Sequence, residues 1–205
     1  MAGKIYHYPL WVRLWHVFNA LFCLVLIITG ISMQFSEPDR PLVPFDTAVT
    51  IHNSAAILLI INYLYFIIVN RLSGNRKHYR ITEKGYVNML ISQFRYYTFG
   101  IFRGEKAPFP VSADRKFNPL QQFAYIVVLY WIFPLIIITG LGLFFPEIVI
   151  TRIFGLSGLF LTDLLHIISG FIVSMFMIVH IYFCTMGTSL TSLFKGMVNG
   201  WVEVH

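Results

Sequence analysis

Residues 158–183 read GLFLTDLLHIISGFIVSMFMIVHIYF, an apolar stretch with one acidic residue, Asp163, and no Lys, Arg or Glu. A helix needs about 20 such residues to cross the roughly 30 Å hydrocarbon core of a bilayer. The stretch carries two histidines, His166 and His180. Their spacing corresponds to ~21 Å along a helix axis and to about 40° less than four full turns. It therefore predicts a transmembrane helix with one imidazole near each membrane surface, both on one side.

Three further stretches have the same character. The four predicted spans are Leu14–Met33, Ala48–Val69, Gln122–Phe145 and Gly158–Phe183. The chain of 205 residues is 57% hydrophobic and only 12% charged, whereas a soluble domain carries roughly 25% charged residues. A soluble globular protein is thereby excluded. The sequence predicts one all-α integral membrane domain over residues 1–205, a bundle of four transmembrane helices in which Pro134 kinks the third.

Positive charge is distributed unevenly among the connections between the spans. Of the 15 Lys and Arg, all but Arg40 and Arg152 lie in the N-terminal segment, the long segment Asn70–Gln121 and the tail. Loops rich in Lys and Arg stay on the cytoplasmic side of the membrane. Both termini and the long segment are therefore expected in the cytoplasm. Basic residues there suit anionic lipid headgroups, so a nucleic-acid partner is not expected.

Part of the long segment has an amphipathic pattern. Residues Lys84–Phe102 mix aromatic and aliphatic side chains with Lys and Arg. This pattern is typical of a helix that lies in the membrane interface. An irregular basic loop is the alternative. No internal repeat is evident in the chain.

Four of the seven histidines lie within the predicted spans, and the topology arranges them in pairs. His16 and His180 fall at the cytoplasmic level, whereas His52 and His166 fall at the periplasmic level. Ionisable side chains at membrane depth usually have a partner or a function. Two His–His pairs at two depths of a four-helix bundle are typical of haem b with two axial imidazoles.

Other interpretations of the histidines remain open. They could be hydrogen-bonding groups between the helices of a haem-free anchor or transporter. Structural zinc fits less well, because a closed tetrahedral site needs its ligands at one depth. His7, His78 and His205 lie outside the spans and are expected in solvent. The absence of a CxxCH motif excludes covalent attachment of c-type haem.

Small residues near the histidines would leave room for a flat macrocycle. Gly30 follows His16 by fourteen positions, on the same helix face at the depth of the other pair, and Gly170 follows His166 by four. Close helix–helix packing is the alternative explanation for these glycines. Arg13, three positions before His16, is placed either to pair with a haem propionate or to lie in the interface as an ordinary arginine.

Several of these segments together resemble a known family. They are RLWHV at 13–17, TIHN at 50–53, LLHIISG at 164–170 and IVHIYF at 178–183. They resemble the bacterial di-haem cytochrome b subunits of nickel–iron hydrogenases, formate dehydrogenase-N and thiosulfate reductase, over nearly the whole chain. KFNPLQQFAY at 116–125 is most similar to the thiosulfate-reductase-type branch. The resemblance implies a bacterial inner-membrane protein with two haems b. Their iron ligands would be His16 and His180 on the cytoplasmic side, and His52 and His166 on the periplasmic side.

The resemblance also implies a menaquinone site near the cytoplasmic haem. Asn118 and Gln121 match an Asn and a Gln that open the third helix in that family. The alternative is that Asn118 caps this helix, with Pro119 in its first turn.

The function implied is that of an electron-transfer subunit in a respiratory oxidoreductase complex, which could itself form a higher oligomer. Electrons would pass between menaquinone and a periplasmic redox subunit of hydrogenase, formate dehydrogenase, thiosulfate reductase or multihaem cytochrome c type. No iron–sulfur or molybdopterin motif occurs in the chain, so a substrate would react on that partner. A stand-alone cytochrome b that reduces a small periplasmic acceptor is the alternative. The partner's identity, the direction of flow and the type of quinone are left open.

Overall fold

The computed structural model describes residues 3–37, 39–112, 114–187 and 189–204. Four of its helices are long and apolar enough to cross a membrane, spanning Leu10–Phe35, Phe45–Leu72, Pro119–Phe144 and Gly158–Cys184. They confirm the four predicted spans and extend most of them by a few residues. The first, second and fourth are helices α1, α2 and α6. The contacts group the chain into two units, described in turn below.

The ends of the long helices follow local chemistry. Helix α2 begins directly after Pro44, whose carbonyl accepts a hydrogen bond from the Ala48 N–H at 2.8 Å. Asp46 lies in its first turn and Arg71 in its last, where each charge is opposite to the end of the helix dipole. Gly74, with φ at 72°, adopts the left-handed conformation that commonly follows a helix. These signals set the length of the second span.

The third span is not a continuous α-helix. Helix α4 covers Pro119–Val127, a π-helical turn covers Val128–Ile132, and helix α5 covers Phe133–Phe144. Pro134 has no N–H to donate and its ring would clash with the carbonyl four residues earlier. A wider π turn just before the proline accommodates this misfit. The π turn is the irregularity that the structure shows just before Pro134, and the kink itself stays a prediction.

The bundle unit contains Leu10–Ile68 and Ile132–Phe183, and it holds nearly all of the first, second and fourth spans and the second half of the third. Trp15 of α1 stacks on Phe66 of α2 with ring centroids 4.2 Å apart. Asn62 donates from Nδ2 to the Trp15 carbonyl at 3.2 Å. Many large apolar side chains on the outer faces are exposed, among them Phe18, Leu21, Ile57, Ile61 and Phe171. Such faces suit lipid rather than water.

A short hairpin precedes α6 in the same unit. Strands β2 (Arg152–Ile153) and β3 (Leu156–Ser157) pair antiparallel. Phe154 and Gly155 between them both have positive φ, at 50° and 81°. Positive φ at both central residues is the signature of a type I′ turn, which joins strands in a tight hairpin. The hairpin fixes the chain just before the fourth span begins.

The terminal unit contains Met1–Pro9, Val69–Trp131 and Cys184–His205. Strand β1 (Gly3–Tyr6) pairs antiparallel with β4 (Trp201–Val204), from Gly3 opposite Val204 to Tyr6 opposite Trp201. Helix α7 (Ser192–Asn199) precedes β4. Neither two-stranded sheet was predicted from the sequence.

The amphipathic segment of the long connection is helical. Helix α3 covers Tyr86–Arg95 and continues as a π-helical turn at Tyr96–Gly100 and a 3₁₀ turn at Ile101–Arg103. Tyr86 is buried and donates from its hydroxyl to the Pro119 carbonyl at 2.8 Å, which ties α3 to the start of α4. The opposite face exposes apolar side chains, which are Val87, Ile91, Phe94, Phe99 and Phe102. The predicted helix is confirmed, and its location in the membrane interface stays a prediction.

Candidate functional site

The four histidines of the spans lie in the bundle unit as two pairs. The ring centroids of His16 and His180 are 6.1 Å apart, with the ring planes at 53°. Those of His52 and His166 are 6.3 Å apart, with the planes at 68°. All four side chains are half-buried. The structure thus brings together the two pairs expected from helix direction and spacing.

The separation within each pair fits two axial imidazoles on one metal ion. If the metal–nitrogen bonds are as long as those from histidine to zinc, about 2.0–2.1 Å, and each ring centre is roughly 1.1 Å behind its nitrogen, two imidazoles on opposite sides of a metal ion would have centroids about 6.3 Å apart. The measured distances are 6.1 and 6.3 Å. Within the described ranges, no cluster of three or more His, Cys, Asp or Glu residues could hold a bare ion. Two ligands per site match a metal whose other ligands come from a macrocycle.

The rings of one pair are each contacted by a buried threonine of a neighbouring helix. Thr29 Oγ1 on α1 lies 2.9 Å from Nδ1 of His52 on α2. Thr139 Oγ1 on α5 lies 3.1 Å from Nδ1 of His166 on α6. The two threonines are only 3% and 5% exposed. Both contacts use Nδ1, so the Nε2 atom of each ring is left for a ligand bond.

A glycine follows each of these threonines and faces the same imidazole. A Cβ built on Gly30 would lie 3.6 Å from Cε1 of His52, an ordinary contact. A Cβ built on Gly140 would lie 3.1 Å from Cε1 of His166, a tight one. The space beside the His166 ring therefore depends on the absence of a side chain at Gly140, whereas a methyl group at Gly30 would fit against His52. Gly30 was expected near this pair, whereas Gly140 was not among the predicted site residues.

Comparison with known proteins agrees with this geometry. The sequence model of the prokaryotic cytochrome b561 family matches residues 7–200, which include all four paired histidines. The chain belongs to this family. A relative in Escherichia coli (strain K12), described as "Putative cytochrome YdhU", is 37% identical over 198 residues. That match covers 97% of this chain and 74% of the relative.

Membership of the cytochrome b561 family makes this chain a multi-pass membrane cytochrome b with a role in electron transfer, and it implies haem b binding. The residues present fit that group. Each histidine pair has the separation that two axial ligands need, and Gly30 and Gly140 carry no side chain that would fill the space beside the rings.

Two other predicted haem contacts of the cytochrome lie close to the histidines in sequence. Arg13 is half-buried in α1, about one turn before His16. A Cβ built on Gly170 would lie 3.9 Å from Cδ1 of Ile136, so this glycine faces another helix without a tight contact. The roles of Arg13 and Gly170 toward haem stay predictions.

Asn118 caps the third span of the cytochrome. Its Oδ1 accepts from the Gln121 N–H at 2.9 Å, and Gln121 Oε1 accepts from the Asn118 N–H at 3.2 Å. Asn118 also donates from Nδ2 to the Tyr97 hydroxyl at 2.8 Å, and it is only 8% exposed. The capping alternative therefore holds. It does not exclude a quinone contact, because the second Nδ2 proton and the Gln121 Nε2 group take no part in the cap.

Two histidines outside the spans, His7 and His78, are not in solvent, contrary to expectation. His7 is buried and donates from Nε2 to the Ser112 carbonyl at 2.9 Å, and burial lowers its pKa. His78 is half-buried against the Phe117 ring, and burial together with the positive charge of Lys116 lowers its pKa to about 4. The expectation failed because both residues lie in a packed part of the terminal unit, whose contacts join segments distant in sequence. His205 lies outside the described residues.

Neither threonine of the cytochrome was predicted as a site residue from the sequence, although a signal was present. The tetrapeptide IITG occurs at 27–30 in the first span and at 137–140 in the third. It is too short to appear as an internal repeat. Its significance becomes visible only when each copy is found beside a paired histidine.

Proposed function

We propose that this cytochrome b transfers electrons across the membrane between menaquinone and a periplasmic redox partner, through two haems b. The observation that carries the proposal is the presence of two His–His pairs, each with the separation of two axial ligands. Haem b held by two imidazoles supplies one-electron chemistry, and with both axial positions filled it carries electrons rather than binding oxygen.

The two pairs are separated along the direction of the spans. His166 and His180 both belong to α6 and are ~21 Å apart along its axis. The excess of Lys and Arg in the segment 70–121 assigns the His16–His180 pair to the cytoplasmic side and the His52–His166 pair to the periplasmic side. The histidines would therefore hold one haem near each membrane surface.

The quinone is proposed to bind where the third span begins. As charge builds on a quinone carbonyl, its oxygen needs a hydrogen-bond donor, and an amide can donate without a fixed charge. Gln121 uses Oε1 in the cap and keeps its Nε2 protons available, and Asn118 has one Nδ2 proton beyond that given to Tyr97. These two amides are the proposed donors to menaquinone.

The periplasmic partner is proposed to dock on the two short connections, Gln34–Thr47 and Pro146–Ser157. These carry the carboxylates of Glu37, Asp39, Asp46 and Glu147 against Arg40 and Arg152. An iron–sulfur or multihaem subunit on this surface would lie on the side of the His52–His166 pair. Cross-linking of the native complex should join the partner to these connections, and links only to residues 70–121 would contradict this arrangement.

Haem counting tests the central claim. The purified protein should contain two haems b per chain in a pyridine haemochrome assay. His52→Ala and His166→Ala should each remove one haem, and His16→Ala should remove the other. His7→Ala is the matched control and should keep both, because His7 bonds the Ser112 carbonyl instead of pairing with another histidine.

A single haem in the wild type, or an unchanged spectrum in His52→Ala, would refute the assignment. A protein without haem would favour a membrane anchor or transporter. A stand-alone cytochrome would be favoured if no large periplasmic subunit copurified and the isolated protein reduced a small acceptor.

A further inference from the structure

The two copies of IITG make the same set of contacts. In the first, the Thr29 hydroxyl lies 2.7 Å from the Val25 carbonyl four residues earlier and 2.9 Å from Nδ1 of His52. In the second, the Thr139 hydroxyl lies 2.8 Å from the Leu135 carbonyl and 3.1 Å from Nδ1 of His166. Each threonine thus stands between its own helix backbone and one ring of the same histidine pair.

The protons of these contacts can be assigned from the donor and acceptor inventory. A hydroxyl has one proton to donate and lone pairs that accept, whereas a carbonyl can only accept. The carbonyls of Val25 and Leu135, at the shorter distances, take the hydroxyl protons. The oxygen lone pairs of Thr29 and Thr139 then face the rings. Each imidazole must therefore supply the proton of this contact from Nδ1.

A second backbone group agrees with this assignment. The carbonyl of Leu26, three residues before Thr29, lies 3.2 Å from the Thr29 hydroxyl oxygen and is a further acceptor for its proton. The carbonyl of Ile136, three residues before Thr139, lies 3.2 Å from the Thr139 hydroxyl oxygen in the same way. An imidazole nitrogen that faces a hydroxyl oxygen whose proton is already donated must itself carry the proton. The Nε2 atom of each neutral ring then carries the lone pair.

We propose that Thr29 and Thr139 are positioning residues that fix His52 and His166 as Nδ1–H tautomers, direct Nε2 toward the iron and lower the reduction potential of that haem. This inference rests on the proposed function. An acceptor on the distal N–H of an imidazole raises the basicity of the ligating nitrogen. A more basic ligand stabilises the oxidised iron relative to the reduced iron. The two threonines act on both axial ligands of one haem, so their effects on its potential have the same sign.

Helix packing alone does not require this arrangement. A threonine in a membrane helix satisfies its hydroxyl by donating to the carbonyl four residues earlier. Thr162 of α6 does this with the Gly158 carbonyl at 2.9 Å. The hydroxyls of Thr29 and Thr139 would be satisfied in the same way without a histidine. Their placement beside the Nδ1 atoms of two partner rings is the feature that the proposal explains.

The test compares potentials of the haem-loaded protein. Thr29→Val and Thr139→Val keep the side-chain shape and remove the acceptor, the serine variants restore it, and Thr162→Val is the matched control. Spectroelectrochemical titration should show one of the two haems shifted upward in each valine variant. The expected change in its reduced-to-oxidised ratio at a fixed potential is about tenfold, equivalent to roughly 59 mV for one electron. The serine variants and Thr162→Val should match the wild type.

Each outcome bears on the proposal. Unchanged potentials in both valine variants with haem retained would overturn it. If valine causes loss of one haem, recovery in the serine variant supports positioning, and loss in the serine variant as well overturns it. If His52→Ala removes a haem while the threonine variants keep the wild-type potential, only this inference fails. If His52→Ala leaves the spectrum unchanged, the proposed function itself fails.

Discussion

Replacement of Gly140 by alanine should displace the ring of His166, a proposed haem ligand, because the added methyl group would be too close to it. The added Cβ would lie 3.1 Å from Cε1 of His166 and 3.6 Å from its Nδ1. Carbon atoms in contact are comfortable at about 3.5–4.0 Å, so the methyl group intrudes by about 0.4–0.9 Å. Either the ring or the helix backbone has to move. A Cβ at Gly30 would lie 3.6 Å from Cε1 of His52, so neither the His52 ring nor the backbone of α1 needs to move.

The cost of such overpacking is about 1–3 kcal/mol. Since each 1.4 kcal/mol is a factor of ten in affinity, Gly140→Ala should weaken retention of the haem at His52–His166 by about 5- to 150-fold. Gly30→Ala should leave retention close to the wild-type value. The two variants make the same chemical change beside the two rings of one pair, so they form a matched comparison.

The assay is transfer of haem from the detergent-solubilised protein to excess apomyoglobin, followed by absorption spectroscopy. The haem proposed at His16–His180 is the internal control, because that pair is ~21 Å from the other along α6. In Gly140→Ala one haem should be lost faster and the other should be unaffected. Equal retention in Gly30→Ala and Gly140→Ala would refute the steric argument, as would equal acceleration for both haems.

Three further predictions concern the terminal unit and the connections. Asn118→Asp keeps an oxygen for the cap and removes the amide donor, so quinone turnover should fall about tenfold, the value of one hydrogen bond of ~1.4 kcal/mol. Because Tyr97 loses the same donor, haem content is measured alongside as the control for folding. Full turnover would leave Asn118 as a cap only. Burial and the positive charge of Lys116 lower the pKa of His78 from 6.5 to about 4. Between pH 6.5 and about 4 the unfolded chain therefore binds more protons than the folded chain, so Tm should fall as the pH falls through this range. His78→Gln should reduce this fall in Tm. Equal slopes of Tm against pH in the two proteins would contradict the assignment. Ser32 is 4% exposed and makes two hydrogen bonds of 2.9 and 2.8 Å to the backbone of the next connection. Ser32→Ala should therefore cost about 1–3 kcal/mol in thermal unfolding. Ser36→Ala serves as control and should cost less, because the half-buried Ser36 hydroxyl accepts only one long hydrogen bond of 3.3 Å, from the Leu42 N–H.

The positions of the four histidines could be predicted from the sequence because they depend on rigid quantities. The rise and period of a helix place His166 and His180 at two depths on one face, and alternating helix direction supplies the levels of His16 and His52. Neither step needs knowledge of side-chain packing. The structure brings together the pairs that these steps predict.

The threonines beside the histidines could not be predicted in the same way. A threonine within a membrane span usually bonds its own helix backbone, so its presence does not indicate a partner on another helix. Which helices adjoin, and which faces they turn to one another, depends on packing that the hydrophobic pattern does not specify. The recurrence of IITG in two spans was the available signal. The burial of His7 had no such signal, because its partner Ser112 is distant in sequence and neither residue lies in a periodic segment.

The β1–β4 pairing has a consequence for the order in which this protein is assembled. Gly3 pairs with Val204, so about 200 residues that follow the first strand must be synthesised before it finds its partner. The spans can enter the membrane one after another as they leave the ribosome, whereas this ribbon can close only after the last of them. Contacts so distant in sequence form slowly, because the entropy of a long loop has to be lost before any hydrogen bond forms. Closure of the ribbon is therefore expected to be a late folding event, and a nascent chain would expose β1 to proteases until β4 has been synthesised.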